Sequence, residues 1–375
     1  MKAGIITYHN VINYGAALQA LALQHTLEKK GVEAQIINYT PKDVFDVYRS
    51  FSAKRFCRAC KKSVLLALKD VASNVKNYRL LSGKRRDFAR FGQRYYHYSG
   101  KACADFEKLK TQLPDYDVCF TGSDQVWNPE ITRGFDPAYL LDFGRESMVR
   151  ASYAASIGKS SFSEEEQKEL ASYLQRMDSI SVREKTAATA LRPVTDKPVE
   201  VVLDPTLLLS QKEWQTLFSL NEKKGGYILS YALYFDPRLN ALADKLSKEK
   251  NLPVVHFSKK NLFGNGEQRV PFADPKKFVE LFAGADYVVT NSFHGTAFAV
   301  NFSKNFVSFV GNSRSSRITD LLDTLGIPER AAVRYTQDLL QLDDIDYVSV
   351  QEKLDAEREK SLAYIKNVLE RAEEK

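Results

Sequence analysis

The chain contains no apolar run of about 18 residues, the length a membrane-spanning helix needs. Its opening residues, MKAGIITYHN, lack the apolar core and small-residue cleavage site of a secretory leader. A cytoplasmic location is therefore expected. The first loop, Tyr8 to Gly15, has no GxGxxG, which disfavours a nicotinamide enzyme. No GxxxxGK[ST] phosphate loop, HExxH pair or nucleophile elbow occurs either. Cysteine is sparse, with four residues at 57, 60, 103 and 119. Cys57 and Cys60 form a lone CxxC without the second pair or nearby histidines that a zinc site requires, so they read as free thiols in a reducing compartment. Neither a metal nor a bound cofactor is expected.

What remains is an ordinary globular composition, 375 residues with 44% hydrophobic and 27% charged. That length suits two domains better than one core. Apolar periodicity alternates between strand and helix along the chain. The first cycle has strands at Lys2–Tyr8, Ala34–Asn38, Tyr116–Phe120, Val149–Ala154, Ser179–Val182 and Val199–Leu203. Helices include Gly15–Lys30, closed by Gly31, and one opened by Ser163 with Glu166 in a capping box. A fresh cycle starts near Gly225, with strands at Tyr227–Tyr231, Pro253–Phe257, Tyr287–Thr290 and Phe306–Val310. Its helices are Pro237–Lys250, Pro275–Gly284, His294–Phe302 and Ser315–Leu325. The alternation predicts parallel sheets wrapped by helices, and the restart predicts two such domains. We place them at residues 1–208 and 209–345, with a charged helix at 346–375 that is long enough to cross back. Asp204-Pro205 reads as the hinge, since a residue before proline is held extended.

Charge is uneven. From Arg49 to Lys101 there are 15 Lys/Arg against Asp70 and Asp87, an excess of +13 in a chain whose net charge is +7. Phe51, Phe56, Val64, Leu65, Leu68, Phe88 and Phe91 interleave at helical spacing. Two readings fit: a solvated helical insertion packed on its own domain, or a surface for anionic lipid or a lipid-linked phosphate at the inner membrane face. On the second reading Lys61, Lys62, Lys84, Arg85 and Arg86 carry the contact. No nucleic-acid-reading motif accompanies the charge, so nucleic acid is not an expected partner.

Ligands of open parallel sheets bind at the carboxyl ends of strands. Those ends carry His9-Asn10, Gly122-Ser123-Asp124, Ser156, Arg183-Glu184 and, in the stretch TNSFHGTA, Asn291, Ser292 and His294. His294 is one of only five histidines and stands where a strand turns into a helix.

Six segments resemble the successive signatures of the polysaccharide pyruvyl transferase family. They are NYGAALQ (from Asn13), TGSDQVWN (from Thr121), SYAASIG (from Ser152), SVRE (from Ser181), VVLDPTLLL (from Val201) and TNSFHGTAF (from Thr290). They stand in the family's order and span most of the chain. The resemblance implies a GT-B-like fold, two Rossmann-type domains facing across a cleft. It implies transfer of pyruvate from phosphoenolpyruvate to two hydroxyls of a sugar in a cell-surface polysaccharide or its lipid-linked precursor. The product is a cyclic ketal, and phosphate leaves.

That reaction needs a general acid, cations for one carboxylate and one phosphate, and acceptors for hydroxyl protons. His294 suits the acid, having an ordinary pKa near 6.5 and a place at a helix start. Asp124 is a candidate proton acceptor. The donor side draws on Arg183, whose strand-end position predicts lost donor affinity with little effect on folding when it is removed, and on Asn291, Ser292, Gly295, Lys304, Arg314 and Arg317. The acceptor side draws on Asn10, Asn13, Tyr14, Ser123 and Asn128, while Trp127 reads as core. In some members an Arg stands two residues before the motif His, where this chain has Ser292. An anion contact is then missing or supplied elsewhere. Two alternatives fit the same scaffold: a nucleotide-sugar glycosyltransferase, for which Glu267 is available as a ribose ligand, and a non-catalytic sugar-binding protein.

Overall fold

The computed structural model describes residues 1–41, 82–220, 225–258, 268–269, 274–311 and 316–375. Cys57, Cys60, Lys61, Lys62, Glu267 and Arg314, and the basic segment as far as residue 81, lie outside the described residues.

The first sheet holds β1 (Lys2–Ile6), β2 (Glu33–Ile36), β3 (Val118–Thr121) and β4 (Val149–Ser152), all parallel in the order β2-β1-β3-β4. Bridges from Ala151 to Ser179 and from Ala155 to Val182 set β5 (Ile180–Val182) beside β4, and β6 (Val199–Val201) pairs with β5. The second sheet holds β7 (Ile228–Ala232), β8 (Val254–Ser258), β9 (Gln268–Arg269), β10 (Tyr287–Thr290), β11 (Asn305–Phe309) and β12 (Ala331–Ala332). It is also wholly parallel, in the order β12-β11-β10-β7-β8-β9. β3, β4 and β7 are buried along their whole length, as expected of strands covered on both faces. The fold is GT-B-like, with two Rossmann-type parallel-sheet domains.

Local chemistry accounts for the helices. Ser163 and Glu166 form the expected capping box, and Ser210 with Glu213 forms another. Pro237–Lys250 begins with Asp236 as cap and Pro at its first turn, and ends at Asn251 in the left-handed conformation. The Ser316–Leu325 helix buries Ile318, Leu321, Leu322 and Leu325, one apolar stripe. In Phe293–Asn301, by contrast, every residue is buried, so this helix lies in the core.

One hydrophobic cluster runs through both domains, from Ala3 and Leu21 by way of Tyr14 and Trp214 to Phe278, Phe298 and Leu325. Tyr14, in the first turn of Tyr14–Glu28, stacks on Phe278 (ring centroids 5.1 Å, 15° between planes) and packs against Phe257 at 5.1 Å. The Tyr347–Glu374 helix reaches the first domain. Its Tyr364 hydroxyl donates to Ser152 O (2.7 Å), and its Ser361 Oγ accepts from Leu203 N (3.0 Å).

The helix of residues 82–95 is amphipathic and packs on the protein's own core. Phe88 and Phe91 are buried in the protein's own core, Phe88 against Tyr14, and Lys84 is buried too. Arg85, Arg86, Arg90 and Arg94 are exposed. This helix therefore offers charge outward and no apolar face. Among the described residues no helix is long and apolar enough to cross a membrane.

Candidate active site

In each sheet the strand order reverses once. The chain leaves β1 toward β2 on one side and returns through β3 on the other; likewise β7 and β10 flank the reversal in the second sheet. Such points leave a crevice at the strands' carboxyl ends, because successive crossovers diverge there. The crevice of the first domain is bordered by Tyr8–Gly15 and by Gly122–Asp124, and that of the second by the Thr290–His294 turn. The two crevices meet. A β-carbon built on Gly15 would overlap the imidazole of His294, whose nearest atoms are Nδ1, Cε1 and Cγ. Glycine is required at 15 because the ring lies directly on its backbone.

Local hydrogen bonds shape the turn that presents His294. Ser292 caps the Phe293–Asn301 helix, its Oγ accepting from Gly295 N (3.2 Å), while Thr290 Oγ1 accepts from Ser292 N (3.1 Å). Asn291 Oδ1 accepts from Leu233 N (2.9 Å) and its Nδ2 donates to Tyr234 O (3.2 Å), which ties the turn to the loop after β7.

The Nε2 of His294 faces Asp204 Oδ2 at 3.6 Å, beyond hydrogen-bond length, so the two attract as charges when the imidazole is protonated. Asp204 has no exposed side-chain surface. Its Oδ2 accepts from Arg183 Nη1 (2.7 Å) and Ser123 Oγ (2.9 Å), and its Oδ1 accepts from Thr206 N (3.0 Å) and Thr206 Oγ1 (2.7 Å). Burial opposes the charge on Asp204, but His294 and Arg183 beside it outweigh burial and hold its carboxyl far below the usual carboxylate range. Burial likewise opposes the charge on Arg183, and Glu184, Asp204 and Asp124 outweigh it, raising its pKa. The Arg183 guanidinium also stands 4.8 Å from the Phe293 ring centroid. With Nε2 turned to Asp204, Nδ1 lies on the Gly15 side.

A family model for polysaccharide pyruvyl transferase matches residues 13–314, a span that contains Gly15, Asp204 and His294. The chain belongs to the polysaccharide pyruvyl transferase family. Among curated proteins none matches it in sequence. In solved structures the likeness is one of fold. UDP-GlcNAc 2-epimerase from Neisseria meningitidis, bound to UDP-GlcNAc, superposes with a TM-score of 0.50 at 10% identity, covering 98% of this chain and 99% of that one. Arabidopsis thaliana UGT89C1 gives 0.49 at 12% identity, covering 99% of each. A putative UDP-N-acetylglucosamine 2-epimerase from Listeria monocytogenes gives 0.48 at 12%, covering 96% and 90%.

Within this polysaccharide pyruvyl transferase family member, the expected site residues separate. His294, Ser123 and Arg183 converge, and Asp124 stands close enough to act on the Arg183 charge. Asp124 holds a left-handed backbone (φ 73°) and accepts from Gln125 N (2.9 Å), a strained position at the end of β3. Arg317 lies 3.8 Å from Glu184, facing the first domain. Asn10 is exposed at the end of β1.

Other expectations are corrected. Arg183, read as a free anion grip at a strand end, is buried in an ion pair with Asp204. Lys304 lies at the amino end of β11, opposite His294, because the intervening helix carries the chain down the sheet. Its ammonium donates to Ala283 O (2.8 Å). Asn128, read as a sugar ligand, caps Pro129–Thr132 and donates to Gln125 Oε1 (2.7 Å). Asn13 likewise caps its helix, with Ala16 N as donor (3.4 Å), and the Tyr14 ring is occupied by Phe278 and Phe257. Gly295 packs on Thr290 and Tyr231, and its N–H serves the Ser292 cap. The amide of Asn291 is engaged by the β7 loop. Trp127 is core, its indole N–H donating to Tyr139 O (3.0 Å).

Asp204, read as a hinge marker, is the centre of the network. The segment after it is clamped: Asn301 Nδ2 donates to Thr206 O (3.1 Å) and Leu209 O (2.8 Å), and Arg358 Nε donates to Leu207 O (2.7 Å). The one signal for its role in the sequence was an Asp at a strand's carboxyl end inside an apolar run, which the following proline explained away.

Proposed function

We propose that the protein transfers the pyruvyl group of phosphoenolpyruvate to two hydroxyls of a sugar, closing a cyclic ketal and releasing phosphate. The observation that carries this reading is His294 of the second domain, held between Gly15 and Asp204 of the first, in a member of the polysaccharide pyruvyl transferase family.

The residues fit the chemistry in sequence. Asp204 favours a proton on Nε2, so Nδ1 is the atom that gives and regains the working proton. Catalytic contacts commonly tighten when substrate binds. Protonation of the donor's C3 methylene by Nδ1–H makes C2 electrophilic, and one sugar hydroxyl adds there. Phosphate departs and the second hydroxyl closes the ring. One hydroxyl proton ends on the new methyl group by way of His294, and the other leaves with phosphate. Asp124 is placed to accept a hydroxyl proton. Gly15 and His294 each lie in the first turn of a helix, Tyr14–Glu28 and Phe293–Asn301. Two helix N-termini thus converge on the place where the donor's anionic groups would sit. The acceptor is proposed to be a cell-surface polysaccharide or its lipid-linked precursor, with the arginines of 82–95 facing an anionic membrane.

Replacing His294 by Gln tests the reading. Turnover should fall by roughly 10²–10⁴-fold while phosphoenolpyruvate still binds. Near-normal turnover removes His294 from the mechanism. A rise in thermal stability with a nucleotide sugar, and none with phosphoenolpyruvate, assigns the site to glycosyl transfer instead.

A further inference from the structure

Beside the Asp204 network lies a small cleft of about 130 Å³ that opens to solvent. The loop after β4 (Ile157, Gly158, Lys159, Ser160) and Glu184 with Thr186 after β5 form one wall, and Ser316 and Arg317 of the second domain form the other. Glu184 is 3% exposed. Its Oε1 accepts from Ser156 Oγ at 2.6 Å and lies 3.5 Å from Arg183 Nε and 3.8 Å from Arg317 Nε. Its Oε2 is buried and has no hydrogen-bond partner. A buried carboxylate oxygen without a donor is costly, and in a cleft wall it marks a place where a ligand's donor belongs.

We propose that this cleft is the acceptor subsite, and that Glu184 selects a sugar ring by accepting a hydrogen bond from one of its hydroxyls. The inference rests on the proposed sugar acceptor but not on the donor. A carboxylate oxygen with open acceptor capacity attracts hydroxyl donors and repels phosphate, which argues against an anion here despite Lys159 and Arg317. Lys159 is paired with Glu166 at 2.8 Å, which reduces its pull on an anion further. Arg317 supplies donors for ring or hydroxyl oxygens, and Ile157 and Ala187 supply an aliphatic wall for a sugar's C–H face. Glu184 connects to the Nε2 side of His294 through Arg183 and Asp204, so the cleft and the imidazole belong to one run of buried charged groups.

Saturation-transfer NMR on the full chain with methyl glycosides of the common hexoses, and with inorganic phosphate alone, tests the assignment without any turnover. At least one glycoside should receive saturation. Glu184→Gln keeps the acceptor for Ser156 and should weaken that glycoside about tenfold or more, the worth of one hydrogen bond to a charged group. Thr186→Trp, a change at an exposed position on the cleft wall, should block it sterically with folding intact. The proposal is overturned by no glycoside contact in the wild type, by contact unchanged in both variants, or by phosphate as the species displaced by Thr186→Trp. Failure of phosphoenolpyruvate transfer with glycoside binding retained counts against the proposed donor and leaves this subsite standing.

Discussion

Removing the guanidinium of Arg183 is the most discriminating perturbation. Arg183 and Asp204 have side-chain exposures of 2% and 0%, and their closest atoms are 2.7 Å apart. Arg183→Ala leaves the Asp204 carboxylate buried, with Ser123 and Thr206 as donors and His294 at 3.6 Å as its remaining charge partner. Breaking one side of a buried pair costs about 3–5 kcal/mol. In a domain of about 200 residues each kcal/mol lowers Tm by about 2–4 °C, so calorimetry should show a fall of about 6–20 °C. The loss comes from an orphaned charge, so adding Asp204→Asn to Arg183→Ala should recover part of it. The sequence-based expectation was the reverse, weaker donor binding with normal folding. If Arg183→Ala melts within about 2 °C of the wild type while phosphoenolpyruvate affinity drops, the pair is not what holds this junction, and Arg183 faces the ligand.

The remaining predictions are shorter. Gly15→Ala should abolish turnover, because the added methyl overlaps the His294 ring, and a crystal structure of the variant should show the imidazole displaced; normal turnover would deny the contact. Asp204 is charged at lower pH when folded than when unfolded. Its stabilisation is therefore complete above its ordinary pKa of about 3.9 and fades as pH falls below it. Unfolding free energies measured from pH 7 to pH 3 should drop less steeply in Asp204→Asn than in the wild type, and parallel slopes would contradict the assignment. On anionic vesicles at low salt, Arg86→Gln with Arg90→Gln should reduce co-sedimentation, each exposed arginine being worth about 1 kcal/mol at most. Lys84→Gln should not reduce it, because Lys84 is buried. Equal recovery with anionic and neutral lipid would leave 82–95 as a helix that serves only its own domain.

Much of the scaffold was legible because each part of it is written locally. The β10 strand, the Pro237–Lys250 helix and the Tyr347–Glu374 helix follow from runs and periodicities within a few turns of chain, and their caps stand beside them. His294 was legible for the same reason: a polar residue at a strand-to-helix turn between two apolar runs. The reading failed where one side chain serves two elements. Asn13, Asn128 and Ser292 look like ligands and are caps, since the same short polar groups that bind sugars also satisfy helix N–H groups. Tyr14 looks like a stacking platform and is one, but for Phe278 of the other domain.

Asp204 shows the deeper limit. Its partners are Ser123, Arg183 and His294, which come from three other strand ends, and no local pattern joins them. What brings them together is topology. Both sheets are parallel, so all their carboxyl ends face one way within a domain, and the domains face each other across the ends where strand order reverses. A residue at any of those ends is then a few ångströms from residues far away in sequence. The apolar contacts that join the domains, Tyr14 on Phe278 and on Phe257 (5.1 Å), set that separation. The buried charges depend on it in turn. Asp204 is tolerable without water only while Arg183 and His294 stay close, and His294 stays close only while its ring rests on Gly15. Domain closure and the proton chemistry proposed for His294 are therefore one energetic unit, and a change that opens the interface, such as Tyr14→Ala, acts on the imidazole without touching it.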